Sequence, residues 1–340
     1  MRKLFSIFLL AVIALAVWLV WALWLPATPD VQKFVMLRPG FSTRHIAREL
    51  KTAGVIRSED AFVLWHELHR RPTLKAGEYL FEREASAIDV HNRLARGDVY
   101  VHTVVIPEGF NMFDIAKAIE DAGLGPAQDF VKVATIDTAL IADLAPNATS
   151  LEGYLFPNTY YFTRTQSMHD MAAEMVKEFR LRANELGLIQ LSSTQPDPDQ
   201  NEKPDIAAIV NLASIIEKET SVPEERNEVA GVYSNRLASH IPLQADPSVI
   251  YAEMLQGTYT GALHHEDMQF SSAYNTYRHA GLPPGPIANP GKSSLLAAMH
   301  PAQTSDYYFV SDGNGHHRFA ATLEEHNRNV AALRRVMSQR

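Results

Sequence analysis

The sequence predicts an α+β protein with one apolar N-terminal helix, two small α/β lobes, and a mixed helical domain that ends in a β-hairpin. Three observations carry this expectation. Leu4 to Leu25 holds no charged residue. Residues 36–55 and 105–124 repeat one pattern at an offset of 69. From about residue 140 the chain is rich in helical periodicity and aromatic residues, and Asp306-Tyr-Tyr-Phe-Val310, a Gly-rich turn and His317-Arg-Phe-Ala320 read as a hairpin.

The apolar run is 22 residues long and would reach about 33 Å as a helix, enough to cross a hydrocarbon core. A cleaved signal peptide has a shorter apolar region and a small-residue cleavage site. Here Trp18, Trp21 and Trp24 crowd the far end, as in an interfacial belt, and no Ala-x-Ala follows them before Pro26. Residues 4–25 are therefore expected to be an uncleaved single-pass anchor. Arg2 and Lys3 would hold residues 1–3 in the cytoplasm and leave the rest of the chain outside. Residues 26–32, with Pro26 and Pro29, read as a juxtamembrane linker. The expected division of the remainder is a repeat region at 33–135 and a catalytic domain at 136–340.

Composition narrows the chemistry. The net charge of −8 argues against nucleic acid, which requires a basic face. The absence of cysteine excludes a thiol nucleophile, a thiolate zinc site and a disulfide framework. No cofactor motif is present. His66-Glu-Leu-His69 spaces its histidines i, i+3 rather than the i, i+4 of a zinc-protease helix, and the adjacent pairs His264-His265 and His316-His317 need not converge, so no metal site is expected.

In the repeat, Gly40 aligns with Gly109, Phe41 with Phe110, Ile46-Ala47 with Ile115-Ala116, and Ala53-Gly54 with Ala122-Gly123. Each copy reads as strand, Gly turn and amphipathic helix, with Ser42 and Asn111 as N-caps. Between the copies lie a helix after Ser58, a strand at Gly77 to Phe81, and a helix from Ser86 to Gly97. This unit resembles the start of a LysM carbohydrate-binding module, which implies LysM-like lobes. SSTQPDPDQNEKP at 192–204 reads as a polar loop, and Thr322-Leu-Glu-Glu325 as the capping box of the last helix.

The chemistry concentrates in Asp205 to Thr220, DIAAIVNLASIIEKET. At about 100° per residue from Ile206, Val210 falls at about 40°, Ala213 at about 340° and Glu217 at about 20°, inside the apolar stripe. Glu219 falls at about 220°, which predicts that it faces water. A capping box at Ser221-Val-Pro-Glu224 would end the first helix near Thr220 and put Glu217 in its last turn. Burial and the negative end of the helix dipole both favour a protonated Glu217, the form that general acid catalysis needs. The residue pattern leaves open a Glu satisfied by an Arg or by backbone. Gln244 and Asp246, the rings of Tyr274 and Tyr277 with Asn275, and the rigid Gly281-to-Gly291 loop carrying Asn289 supply aromatic faces and amides suited to a sugar chain.

Four motifs in order, Leu212-Ala-Ser-Ile-Ile-Glu-Lys-Glu-Thr220, Leu243-Gln-Ala-Asp-Pro-Ser-Val-Ile-Tyr251, Tyr274-Asn-Thr-Tyr277 and Gly281-Leu-Pro-Pro-Gly-Pro-Ile-Ala-Asn-Pro-Gly291, resemble those of the endolytic murein transglycosylase (YceG-like) family. The resemblance implies a membrane anchor, a LysM-like region and a catalytic domain. It implies lytic cleavage of the β-1,4 bond between N-acetylmuramic acid and N-acetylglucosamine in peptidoglycan. Glu217 would be the catalytic acid/base, and the product would carry 1,6-anhydro ends. It also implies work near peptidoglycan synthases at the inner membrane. Ser214, Gln244, Asp246, Tyr274, Asn275, Tyr277 and Asn289 become the candidate glycan contacts. Two alternatives stay open: a lysozyme-type hydrolase with Asp246 as second carboxylate, and a non-catalytic glycan-binding scaffold.

Overall fold

A computed structural model describes residues 2–27, 32–69, 72–191 and 205–338. The loop expected at 192–204 lies outside them. The chain forms two compact units, residues 1–103 with 161–167, and residues 104–160 with 168–340.

In the first unit, helix α1 (Arg2–Leu23) is followed by β1 (Lys33–Leu37), α2 (Thr43–Thr52), α3 (Glu59–Leu68), β2 (Gly77–Phe81) and α4 (Ala87–Arg96). β1 and β2 pair antiparallel from Lys33 opposite Phe81 to Leu37 opposite Gly77. Val35 and Leu37 point into a core with Ile46, Leu50, Phe62, Tyr79 and Leu94. Ser42, Ser58 and Ser86 cap α2, α3 and α4 as the sequence predicts. α1 is long and apolar enough to cross a membrane, and its surface is exposed except at its end, where Ala22 and Leu23 are buried. The expected linker is not free at either described end. Ala27 bridges to Ala85, and Gln32 Nε2 donates to Glu82 at 2.7 Å. Trp24 meets Trp65 edge-on at 5.4 Å, Arg57 stacks over Trp21, and Arg57 donates to the Pro26 carbonyl at 2.7 Å. The end of α1 is thus part of the packed lobe.

β3 (His102–Val105) and β4 (Thr159–Phe162) form a two-stranded sheet, and the boundary between the units falls within both strands. The second unit then contains α5 (Met112–Asp121), α6 (Ala127–Ile136), α7 (Met168–Glu185), α8 (Leu188–Leu191), α9 (Ile206–Glu219), α10 (Arg226–Ala238), α11 (Asp246–Gln256), α12 (Lys292–Met299), the hairpin β5 (Tyr308–Ser311) and β6 (His317–Ala320), and α13 (Leu323–Met337). The repeat copies share local form, since Asn111 caps α5 as Ser42 caps α2, and Gly54 and Gly123 both take positive φ. The second copy's helix belongs to the second unit.

α9 is the central helix, with α8, α10, α11 and α12 against it. Ile206, Val210, Leu212, Ala213, Ser214, Ile215 and Ile216 are all buried, which covers its whole circumference. The reading that put Glu219 in water fails for this reason. Its angle from Glu217 is as expected, but the opposite face is packed too. The next helix also starts differently from expectation. Ser221 does not cap it; Val222 precedes a 3₁₀ turn at Pro223–Glu225 without a side-chain cap, and α10 follows.

Candidate active site

α9 ends at Glu219, so Glu217 stands in its last turn, as expected. Its side chain is only 5% exposed. It is not a lone buried acid. Arg226, in the first turn of α10, donates from Nη2 to Glu217 Oε1 at 2.9 Å, and the Gly291 N–H donates to Oε2 at 2.9 Å. Arg226 is itself 8% exposed, and its other terminal nitrogen donates to the Ser293 hydroxyl. A buried carboxylate with a guanidinium and a backbone N–H on its two oxygens is a well-satisfied ion pair.

A second carboxyl group lies beside it. Glu108 sits on the turn before α5, and the Cβ of any residue other than glycine at 291 would fall inside its carboxyl group. Burial, and then the like charge of Glu217, push the Glu108 carboxyl above the ordinary range, while Arg226 offsets part of that rise. The turn is fixed from several directions. The Gly109 N–H donates to the Asn289 carbonyl at 3.0 Å, and the Asn289 N–H donates to the Phe110 carbonyl at 2.9 Å. Lys218 Nζ donates to the Gly109 carbonyl at 3.2 Å. Gly109 has φ +78°, and a Cβ there would already touch the Glu217 side chain.

Beneath this turn lies a buried polar knot. Asn289 Oδ1 accepts from the Leu155 N–H at 2.9 Å, and its Nδ2 donates to the Phe110 carbonyl at 2.9 Å and to Glu152 at 2.7 Å. Glu152 also accepts from the Met112 N–H and the Tyr251 hydroxyl, each at 2.9 Å. Burial pushes the Glu152 carboxyl up to about 7, although its donors pull the other way.

The remaining sequence candidates divide into two sets. Ser214, Asn275 and Asn289 are fully buried, and their polar groups serve the framework rather than a surface. The Ser214 hydroxyl donates to the Asn211 carbonyl and accepts from the Ile287 N–H. Asn275 Nδ2 donates to the Met268 and Phe270 carbonyls. Gln244 and Asp246 are exposed, and Tyr274 and Tyr277 are half-buried. Tyr277 donates to Asp246 at the start of α11, and Arg236 donates to Gln244 at 3.4 Å. Tyr274 leans on Tyr251 at 5.3 Å. The charge of Asp246 acts on Glu219. Burial first, and then Asp246, push the Glu219 carboxyl up to about 7, against the Tyr233 hydroxyl that donates to it at 2.8 Å.

Sequence reasoning missed Glu108, Glu152 and Arg226. Two of them left a signal. Glu108 stands where the first repeat copy has Pro39, a departure in an otherwise matching turn. Arg226 places a cation in the first turn of a helix, where the dipole favours an anion, so it needs a partner. Glu152 lies in an apolar stretch with no period to expose it.

The profile of the YceG-like family matches residues 35–332. The chain is 32% identical over 304 residues to the endolytic murein transglycosylase of Bacillus subtilis (strain 168), an alignment covering 85% of this chain and 81% of that protein. It is 27% identical over 337 residues to the endolytic murein transglycosylase of Streptococcus pneumoniae serotype 2 (strain D39 / NCTC 7466), covering 90% of this chain and 60% of that longer protein. A 2.6 Å crystal structure of a yceG-like protein from Listeria monocytogenes superposes with a TM-score of 0.56 at 30% identity, covering 87% of this chain and 98% of the other. Match, identity and superposition agree: the chain belongs to the YceG-like family.

Proposed function

We propose that this protein is a membrane-anchored lytic transglycosylase. It cleaves the β-1,4 bond between N-acetylmuramic acid and N-acetylglucosamine within peptidoglycan strands and leaves 1,6-anhydro ends. The observation that carries the reading is Glu217, on the family's motif and inside a dense set of donors at the end of α9. The curated relatives named endolytic murein transglycosylase support the substrate class. In the reaction the glycosidic oxygen gains a proton, the C6 hydroxyl closes on C1, and that hydroxyl loses its proton to a carboxylate. No water is consumed. Ordinary glycosidases use a carboxyl pair to manage water or a covalent intermediate instead. α1 supports an inner-membrane anchor with the remaining chain in the periplasm, close to the synthases that supply glycan. Gln244, Asp246, Tyr274 and Tyr277 remain as glycan contacts, because they are the candidates with accessible surface.

The test is Glu217→Gln in the full chain with isolated glycan strands. Loss of general acid/base function costs about 10²–10⁴-fold, with the fold retained. Wild-type products should carry muramic ends lighter by one water than hydrolysis products. Reducing muramic ends alone would favour a lysozyme-type hydrolase, and undiminished cleavage by Glu217→Gln would remove Glu217 from the chemistry.

A further inference from the structure

The second unit holds a cavity that the chemistry at Glu217 does not use. Its volume is about 540 Å³, and it is lined by the first turns of α9, by residues 145–150 and by the Pro283-Pro-Gly-Pro286 turn. That size suits a small ligand. Two of its lining residues carry buried polar atoms that no protein group satisfies. Asn211 Nδ2 donates to the Pro283 carbonyl at 2.7 Å, which fixes the orientation of the amide and leaves Oδ1 as an acceptor with no donor. The Tyr154 hydroxyl has no partner either, although the residue is only 1% exposed. Its ring is held edge-on against Phe179 at 5.0 Å. Burial, and then the charge of Asp205, push the Tyr154 hydroxyl upward, so it stays a neutral donor. Buried polar groups of this kind normally find partners.

The lining also limits what the partner is. Among the described residues, no Lys, Arg or His lines the cavity, whereas Asp205 does, so an anionic ligand is disfavoured. Leu282 and the prolines add apolar surface. An unpaired acceptor, an unpaired hydroxyl and an apolar wall together complement a neutral secondary amide with a methyl group. Asn211 stands six residues before Glu217 on α9, about 9 Å along the axis and about 120° around it. The Gly281–Gly291 loop joins the two places: the Pro283 carbonyl accepts from Asn211, the Ile287 N–H donates to Ser214, and the Gly291 N–H donates to Glu217. The cavity wall also reaches Tyr274, since a Cβ at Gly285 would lie 3.2 Å from the Tyr274 hydroxyl.

We infer that this cavity is a saccharide subsite remote from the cleaved bond, taking the acetamido group of one N-acetylhexosamine unit, with the acetamido N–H donating to Asn211 Oδ1, its carbonyl accepting from the Tyr154 hydroxyl and its methyl against the proline turn. The inference rests on the transglycosylase reading for the source of the sugar, which is the strand cut at Glu217. Contacts made away from the reacting bond bind substrate and transition state alike, so their loss raises KM and leaves kcat in place.

The experiment titrates three sugars into the full chain in detergent micelles and follows binding by NMR. They are methyl N-acetyl-β-glucosaminide, methyl β-glucosaminide and methyl β-glucoside. The proteins are wild type, Tyr154→Phe and Ala208→Phe. Wild type should bind the acetamido sugar about tenfold more tightly than the other two. Tyr154→Phe should weaken that binding about three- to tenfold. Its urea midpoint should be unchanged or higher, because the hydroxyl has no protein bond to lose. Ala208 lines the cavity from α9, so Ala208→Phe should fill it and abolish the binding. On long glycan strands both variants should raise KM and keep kcat within about twofold of wild type. Equal binding of the three sugars by wild type would overturn the subsite. So would acetamido-sugar binding that Tyr154→Phe leaves unchanged, the result expected if water alone satisfies the hydroxyl. Should Ala208→Phe fail to fold, Tyr154→Phe decides by itself. Failure of the transglycosylase reading is distinguishable, since wild type would then bind the acetamido sugar with the same preference yet yield no anhydro ends.

Discussion

Replacing Asn289 separates a framework role from a glycan-contact role. Its side chain is fully buried and joins three segments, through the Leu155 N–H, the Phe110 carbonyl and Glu152. Asn289→Leu keeps the volume but removes every one of these bonds. The Phe110 carbonyl retains the Asn289 backbone N–H, so two buried groups are orphaned: the Leu155 N–H and one oxygen of Glu152. At about 1–3 kcal/mol for each unsatisfied buried group, the expected loss is about 2–6 kcal/mol in urea unfolding. Asn289→Asp refines the test. The acceptor for Leu155 survives, but a second carboxyl now faces Glu152 at the position of a 2.7 Å hydrogen bond. Two carboxyls so close share one proton, which the folded state binds and the unfolded state releases. Stability should therefore fall more steeply in Asn289→Asp than in wild type as pH rises from about 5 to 8. Wild-type stability in both variants, with a defect confined to KM for glycan, would refute the framework argument and return Asn289 to the substrate surface.

Two further outcomes follow from the same geometry. Wild-type stability should decline with rising pH, because Glu152 goes from an ordinary 4.5 to about 7 on folding: the folded state binds the extra proton, so its contribution is complete below about pH 4.5 and lost by about pH 7. At about 1.4 kcal/mol per pH unit this amounts to about 3 kcal/mol, and Glu219 acts in the same direction; a flat profile in chemical denaturation from pH 5 to 8 would contradict it. Gly291→Ala should fold normally, since φ there is −78° and the clash falls on the mobile end of Glu108, with a stability change of about 1 kcal/mol or less; a loss of several kcal/mol in urea unfolding would show that the Glu108 side chain cannot give way.

What the sequence revealed tracks how local each determinant is. Ser42, Ser58 and Ser86 announced their helices because a cap is a one-residue event tied to the next turn. Glu217 was legible because a charge inside an apolar stripe breaks a pattern that a single helix displays by itself. Glu219 was misread because solvent exposure depends on what packs against the far face, and α9 is surrounded. The partners of Glu217 come from 9 and 74 residues away, and no periodicity links Glu217 to Arg226 or Gly291. Ser214, Asn275 and Asn289 illustrate the opposite error. Their residue types suit a sugar, but amides and hydroxyls also satisfy buried backbone, and burial decides between the two uses.

The packed end of α1 has an orientational consequence. A lobe on a loose tether samples every azimuth about its anchor. Here Ala22 and Leu23 are buried in the lobe, and Arg57 fastens Trp21 and the Pro26 carbonyl. The helical phase of α1 is thereby built into the first unit. Set in a bilayer, that unit would present one fixed side to the membrane plane at one height. Inserting a single residue into α1 would turn the lobe by about 100° and lift it by about 1.5 Å, so a membrane-spanning α1 would set the angle of the lobe as well as its height.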